Sequence, residues 1–324
     1  MNRREFLARA AMAMAAVIPN EGARAAMLDP SCIGANTALP GFGLLEAIQA
    51  LRDLAFPAIE IHPFGSPEPA PFVFPGFQFD SLSQDDRQKI RAALGGFRHV
   101  SAHLPFQELH FFSRFAPIAE FSTRQLRLAL EATAFFGATI AVAHTTPPSW
   151  PLKFEDALPQ MVRRFREWGD IAEKGNFKIA IETSYPGSVR EHVRLLREID
   201  HACVGCAIDV GHQIGFAEFT SRVKPGERST PDGIAIYNDV MHELIDQLGP
   251  KVIHFHVHDV DRKLWKDHRP IGAGGVIDYP RLLRKLKQID YRGLMVLEIE
   301  STQERAKADF ADSKRRLQEF MAEA

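Results

Sequence analysis

The sequence predicts an α/β protein built as a single-domain (β/α)8 barrel. Eight short, mostly apolar segments alternate with eight amphipathic ones along the chain. Spread over 324 residues, that gives about 40 residues per unit. The first strand is followed by no Gly-rich phosphate loop, the feature that marks the competing open, doubly wound sheet.

Residues 31–37 read as the first strand and 43–54 as the first amphipathic helix. In 57–62, Ile59 and Ile61 share one face and Glu60 and His62 the other, the period of a strand. Residues 63–80 break the rhythm. With Phe64, Phe74, Phe77 and several prolines this loop is too apolar for a plain linker, so it packs on itself, lids a pocket or covers a helix. The alternation then resumes with helix 84–94, strand 97–103, helix 121–136, strand 138–144, helix 154–174 and strand 177–182. Helix 191–199, strand 204–209, helix 234–248, strand 252–258, helix 279–287, strand 294–299 and helix 301–322 complete it.

Lys plus Arg number 39 against 41 Asp plus Glu, and the isoelectric point is near 6.7. That balance carries none of the basic excess on which nucleic-acid binding relies, so the expected partner is a small molecule. Residues 1–25 stand apart. Arg3-Arg4-Glu5-Phe6-Leu7 resembles the twin-arginine export signal, a modest apolar run follows, and Ala23-Arg24-Ala25 has the form of a signal-peptidase site. The expectation is export to the periplasm or beyond, with residues 26–324 forming the barrel and no membrane association afterwards. The three cysteines, Cys32, Cys203 and Cys206, form no disulfide framework. Cys203 and Cys206 lie three apart on an extended segment, facing opposite sides, and all three read as core thiols.

In a barrel of this kind the chemistry sits at the C-terminal ends of the strands. The last inward residues of seven strands read as Glu60, His103, His144, Glu182, Asp209, His256 and Glu298. Gathered around one small volume without neutralisation, such groups would be costly to bury, and a divalent cation removes that cost. The strand at 252–258 is the plainest case, with Ile253, Phe255 and Val257 on one face and His254, His256 and His258 on the other.

The segments Ile181-Glu182, Asp209-Val-Gly-His212, His256-Val-His-Asp259, 270–278 (Pro-Ile-Gly-Ala-Gly-Gly-Val-Ile-Asp) and Leu297-Glu298 occur in an order and spacing that carry a resemblance. Over roughly residues 30–302 the chain resembles the sugar phosphate isomerase/epimerase family of xylose isomerase-like TIM barrels, the group of D-tagatose 3-epimerase, hydroxypyruvate isomerase and inosose dehydratase. The resemblance implies one divalent ion, Mn, Mg, Co or Zn, held by Glu182, Asp209, His256 and Glu298. It implies a carbohydrate substrate and proton transfer by Glu182 and Glu298 through a cis-enediolate. His212, Glu60, His103, His144, His268 and Lys266 are then expected on the substrate. Of the remaining residues in the seventh strand and its loop, His254 is expected one layer deeper, and His258 and Asp259 in the loop, orienting substrate or a ligand.

A keto-sugar or inosose dehydratase or lyase would use the same groups. A more distant likeness, to endonuclease IV with its multinuclear zinc site, extends to His103, His144, Glu182, Asp209, His212, His256, His268 and Glu298. It departs at Lys266, where that pattern carries an aspartate. Oligomeric state is open, a homo-oligomer included.

Overall fold

Eight short parallel strands close on themselves in chain order. They are β1 (Ile33–Asn36), β2 (Ala58–Ile61), β3 (His99–His103), β4 (Ile140–Ala143), β5 (Lys178–Glu182), β6 (Val204–Asp209), β7 (Val252–Val257) and β8 (Leu294–Leu297), with β8 pairing back onto β1. Each strand is followed by a helix: α1 (Leu44–Asp53), α2 (Gln84–Leu94), α3 (Ala116–Phe135), α4 (Phe154–Gly175), α5 (Val189–Ile199), α6 (Pro231–Leu248), α7 (Tyr279–Gln288) and α8 (Ala306–Glu323). The computed structural model describes residues 28–70, 73–148, 150–272 and 274–324. The expected export signal at 1–25 lies outside the described residues. Among those residues no helix is long and apolar enough to cross a membrane.

Local chemistry sets the helix boundaries. Ser83, Ser188, Thr230 and Asp278 precede α2, α5, α6 and α7, and the side-chain oxygen of each accepts a bond from a first-turn amide. At the other end of α4, Asn176 takes a left-handed conformation, φ 64°, that stops the helix. Two helices differ most from the expected bounds. α3 begins at Ala116 rather than 121, because Phe115, Ile118 and Phe121 remain exposed and blur its amphipathic period. α8 begins at Ala306 rather than 301, since Ser301 Oγ donates to Asp309 Oδ2 across its first turn and 301–305 stay in the loop.

Inside the barrel the strands alternate as their sequence dictates. Ala58, Ile140, Val142, Ala180, Ala207, Leu294 and Val296 fill the lower interior, while Ile59, Ile61, Ile179, Ile181, Ile208, Phe255 and Val257 face outward under the helices. Above the small apolar layer come polar groups. Cys206 is buried in this outer core, and Cys32 and Cys203 are partly buried; all three are free thiols.

The glycine-rich 270–278 segment has a structural explanation. Asp259 is buried, and its Oδ1 accepts bonds from the amides of Val260, Val276 and Ile277 at 2.8, 3.0 and 3.4 Å. A Cβ on Gly275 would sit 1.8 Å from Asp259 Oδ2, so only glycine lets the loop close over that carboxylate. Asp259 therefore organises the loop after β7 rather than orienting a substrate.

Candidate active site

The polar interior is built in two tiers. In the lower tier Glu60, on β2, is fully buried, and its neighbours in register are Asn36 on β1 and Ser101 on β3. Its Oε2 accepts from Ser101 Oγ at 2.9 Å and lies 3.2 Å from His254 Nε2, while its Oε1 lies 2.9 Å from His256 Nε2. Burial opposes its ionisation, but the imidazoles of His256 and His254 outweigh that and hold its pKa below the ordinary 4.5. Glu60 thus does not reach the cavity, which corrects its placement on the substrate. The next residue on that face is His62, just past the end of β2; it hydrogen-bonds Thr37 Oγ1 at 2.9 Å and stacks on Phe74.

The upper tier converges on the other ring nitrogen of His256. Nδ1 lies 2.9 Å from Glu298 Oε2, 3.2 Å from Glu182 Oε1 and 4.0 Å from Asp209 Oδ2. One ligand atom from each of Glu182, Asp209, His256 and Glu298 falls within 4.8 Å of all the others. These are the four residues the sequence singles out as a set. β5, β6 and β7 present three of them directly, and Glu298 follows β8 by one residue.

Each member of the set is oriented from behind. Asp209 Oδ1 accepts from the amides of Gly211 and His212 at 2.8 and 3.1 Å, and both carboxylate oxygens lie 3.0 Å from His258 Nε2. His258 Nδ1 lies 3.0 Å from the amide nitrogen of His268 and 3.1 Å from the carbonyl oxygen of Asp259, which holds the ring with Nε2 facing Asp209. His258, expected in the loop, is a fully buried support. For Glu182, burial works against the charge, and His144, His256 and His103 overcome it, holding its pKa well below the ordinary carboxylate value. Glu298 is held down likewise, against burial, by His256 and His268. In turn His268, although largely buried, is pushed up to about 11 by Asp267 and Glu298.

Of the residues expected on the substrate, His103, His144, His212 and His268 line one cavity together with Glu182 and Glu298. The ring of His212 is fixed: Nδ1 donates to the carbonyl of Thr183 at 2.9 Å, and Nε2 lies 3.8 Å from Asp209 Oδ1. Lys266 does not join them. It is half exposed and paired with Glu300 at 2.5 Å, in a loop where the sequence has no periodicity to place it. Asn36 and Phe106 are among the cavity residues that the strand-end reading did not reach. Asn36 ends β1, and its buried Nδ2 has no hydrogen-bond partner among the described residues. Its polar position at a strand end was the available signal; Phe106, in the loop after β3, gave none.

A family model described as a xylose isomerase-like TIM barrel matches residues 48–320. The chain belongs to that family. Solved structures similar to this xylose isomerase-like barrel include a D-tagatose 3-epimerase-like protein, 21% identical with TM-score 0.68, covering 90% of this chain and 97% of that one. A D-psicose 3-epimerase crystallised in the presence of D-fructose is 14% identical with TM-score 0.63, over 89% and 97%. The 3-keto-D-glucoside 4-epimerase YcjR from E. coli is 17% identical with TM-score 0.61, over 89% and 98%. At these identities the likeness is one of fold. By sequence, the uncharacterized protein MJ1311 of Methanocaldococcus jannaschii is 24% identical over 217 residues, 64% of this chain and 67% of its own.

The residues of this xylose isomerase-like barrel fit a divalent cation. Glu182, Asp209 and Glu298 offer hard oxygen donors beside a single imidazole. Glu182 Oε2 is buried with no partner in hydrogen-bonding geometry, although His144 Nε2 and His103 Nε2 lie 2.9 and 3.4 Å from it. Glu60 is the carboxylate that would fix which nitrogen of His256 is offered, by accepting the Nε2 proton. Glu60→Gln is therefore expected to weaken divalent-ion binding about 10- to 100-fold, read by titration calorimetry. Its folded pKa is depressed, so the Glu60 contribution to stability is complete above about pH 4.5 and is lost as pH falls through the folded value. The difference in melting temperature between Glu60→Gln and the wild type should accordingly narrow below that pH.

Proposed function

We propose that this protein is a divalent-metal-dependent isomerase or epimerase of a sugar or polyol derivative. The observation that carries the reading is the convergence of Glu182, Asp209, His256 and Glu298 beneath a cavity rimmed by further imidazoles. A cation bound there would polarise a substrate carbonyl and acidify the adjacent C–H. Glu182 and Glu298 are both held ionised, so either can take that proton, and the other, once it has picked up a proton from solvent, can return one to the opposite face of the cis-enediolate. His212 Nε2 and the free amide of Asn36 are positioned to bind hydroxyls. The named epimerases among the similar folds support a carbohydrate substrate. A dehydratase or lyase would use the same bases to expel water; NMR of the product separates the two.

A nuclease-like reading has its own support, since His103, His144 and Glu182, and likewise Asp209, His212 and His268, also form donor groups. Lys266 stands where that pattern carries an aspartate, and its pairing with Glu300 keeps it out of any third site. Elemental analysis of the folded protein followed by a solvent-deuterium screen against keto-sugars is the test. About one ion per chain with exchange supports the isomerase, and about three ions without exchange overturns it. Arg3-Arg4 supports activity outside the cytoplasm after twin-arginine export. Retention of an Arg3→Lys/Arg4→Lys variant in the cytoplasm, read by cell fractionation, checks this.

A further inference from the structure

We infer that the substrate of this site is a keto-glycoside carrying a flat, apolar aglycone rather than a free sugar. The inference rests on the isomerase reading and adds the substrate class. The cavity above the four-residue set has a volume of about 1210 Å³. That exceeds the range of about 300–1,000 Å³ that encloses drug-sized ligands, and a single sugar ring is smaller than most of those. One ring seated on the carboxylates would leave most of the space unfilled.

The walls are divided by chemistry. Polar groups lie at the base, where the strands end, and on the loop after β8, where Glu300, Ser301 and Gln303 line the cavity. The opposite arc comes from three loops: Phe42 after β1, Val73 and Phe74 in the 63–80 loop, and Phe106 after β3. Val73 is 44% exposed, and the three phenylalanines are only partly buried, so their apolar surface is left open to the cavity. The rings of Phe106 and Phe74 are also fixed in place. Phe106 stacks on His144 with centroids 4.2 Å apart, and Phe74 stacks on His62 at 5.1 Å.

A free sugar is hydroxylated around its whole edge, and hydroxyls pressed against such a wall would lose water without gaining a partner. An aromatic or similarly flat substituent would gain apolar burial and ring stacking there while the sugar engages the polar base. Pocket contacts of this kind discriminate by about 10- to 200-fold for a single methylene, so a whole ring should give at least about tenfold.

The test uses the metal-loaded, full-length protein with the phenyl glycoside, the methyl glycoside and the free form of one hexose oxidised to a ketone at a ring carbon other than the anomeric one, so that each compound keeps a reactive carbonyl. Solvent-deuterium incorporation should show kcat/KM at least about tenfold higher for the phenyl glycoside than for the other two. The preference should shrink in Val73→Ser, a change at an exposed position. Calorimetric binding of unreactive phenyl and methyl glucosides keeps the inference testable without turnover, with the phenyl compound expected to bind at least about tenfold tighter. Equal or better handling of the methyl glycoside and the free sugar overturns the inference but leaves the isomerase reading standing. Tight phenyl-selective binding with no exchange into any sugar does the reverse.

Discussion

Glu298→Gln is expected to lower the rate of epimer interconversion by about 10²- to 10⁴-fold, the usual contribution of one positioned acid–base group. At 1.36 kcal/mol per decade this is about 2.7–5.4 kcal/mol of transition-state stabilisation. Glutamine keeps the size of the side chain and one oxygen toward Glu182, Asp209 and His256, but it cannot hold the proton in flight. Glu182→Gln should have a loss of the same order. The pair is more informative than either variant, because the two carboxylates approach the substrate from different strands, β5 and β8. With Glu182 alone left, the epimer whose C–H faces it should still wash in deuterium without turning over to its partner, and with Glu298 alone the other epimer should. Elemental analysis of each variant separates loss of the base from loss of the ion. Full interconversion in a metal-replete Glu298→Gln protein would sink the two-base reading.

The strand-end residues were legible because a barrel turns period two into position. Glu182 and Asp209 end their strands, and His256 sits in register with Asp209, so reading each strand to its last inward residue places them together. The same rule misplaced Glu60, because the chain carries one more residue on that face, His62, just past the end of β2; the extra step drops Glu60 beneath the site. Loop residues were harder. Lys266 and Asp259 lie where no repeat fixes a direction, and their roles, like that of His258 at the end of its strand's period, come from contacts over distance: the pairing of Lys266 with Glu300, the bond of His258 to Asp209 and the grip of Asp259 on the 276–277 backbone. The phenylalanine-rich loop was legible as apolar. That Phe74 meets both His62 and the cavity wall depends on the path of the loop, which composition does not encode.

Stripping the protein with a chelator is expected to lower its melting temperature, and Mn²⁺ to restore it. At free ion 100 to 1,000 times the dissociation constant the stabilisation is about 2.7–4.1 kcal/mol. The cause is the buried charge: Glu182, Asp209 and Glu298 crowd one imidazole, and without an ion that imidazole must stay protonated to offset them. Burial alone would lower the pKa of His256, but Glu298, Glu182 and Glu60 together raise it well above 6.5. A raised folded pKa contributes stability that is complete below 6.5 and is lost as pH rises through the folded value, so the ion-free protein fares worst on the alkaline side. Binding an ion at Nδ1 displaces that proton, so the apparent affinity should climb with pH, by up to about tenfold per unit while His256 is the proton donor. The gain in melting temperature from Mn²⁺ should therefore be larger at pH 8 than at pH 6, and calorimetry in buffers of different ionisation enthalpy should count about one proton released per ion. Asp209→Asn should weaken this binding and also lower the ion-free melting temperature, because against burial the Asp209 carboxylate is held ionised by His212, His258 and His268. A melting temperature indifferent to chelator and to Mn²⁺ at both pH values would mean that the three carboxylates are neutralised by imidazolium alone, and the metal reading would fall with it.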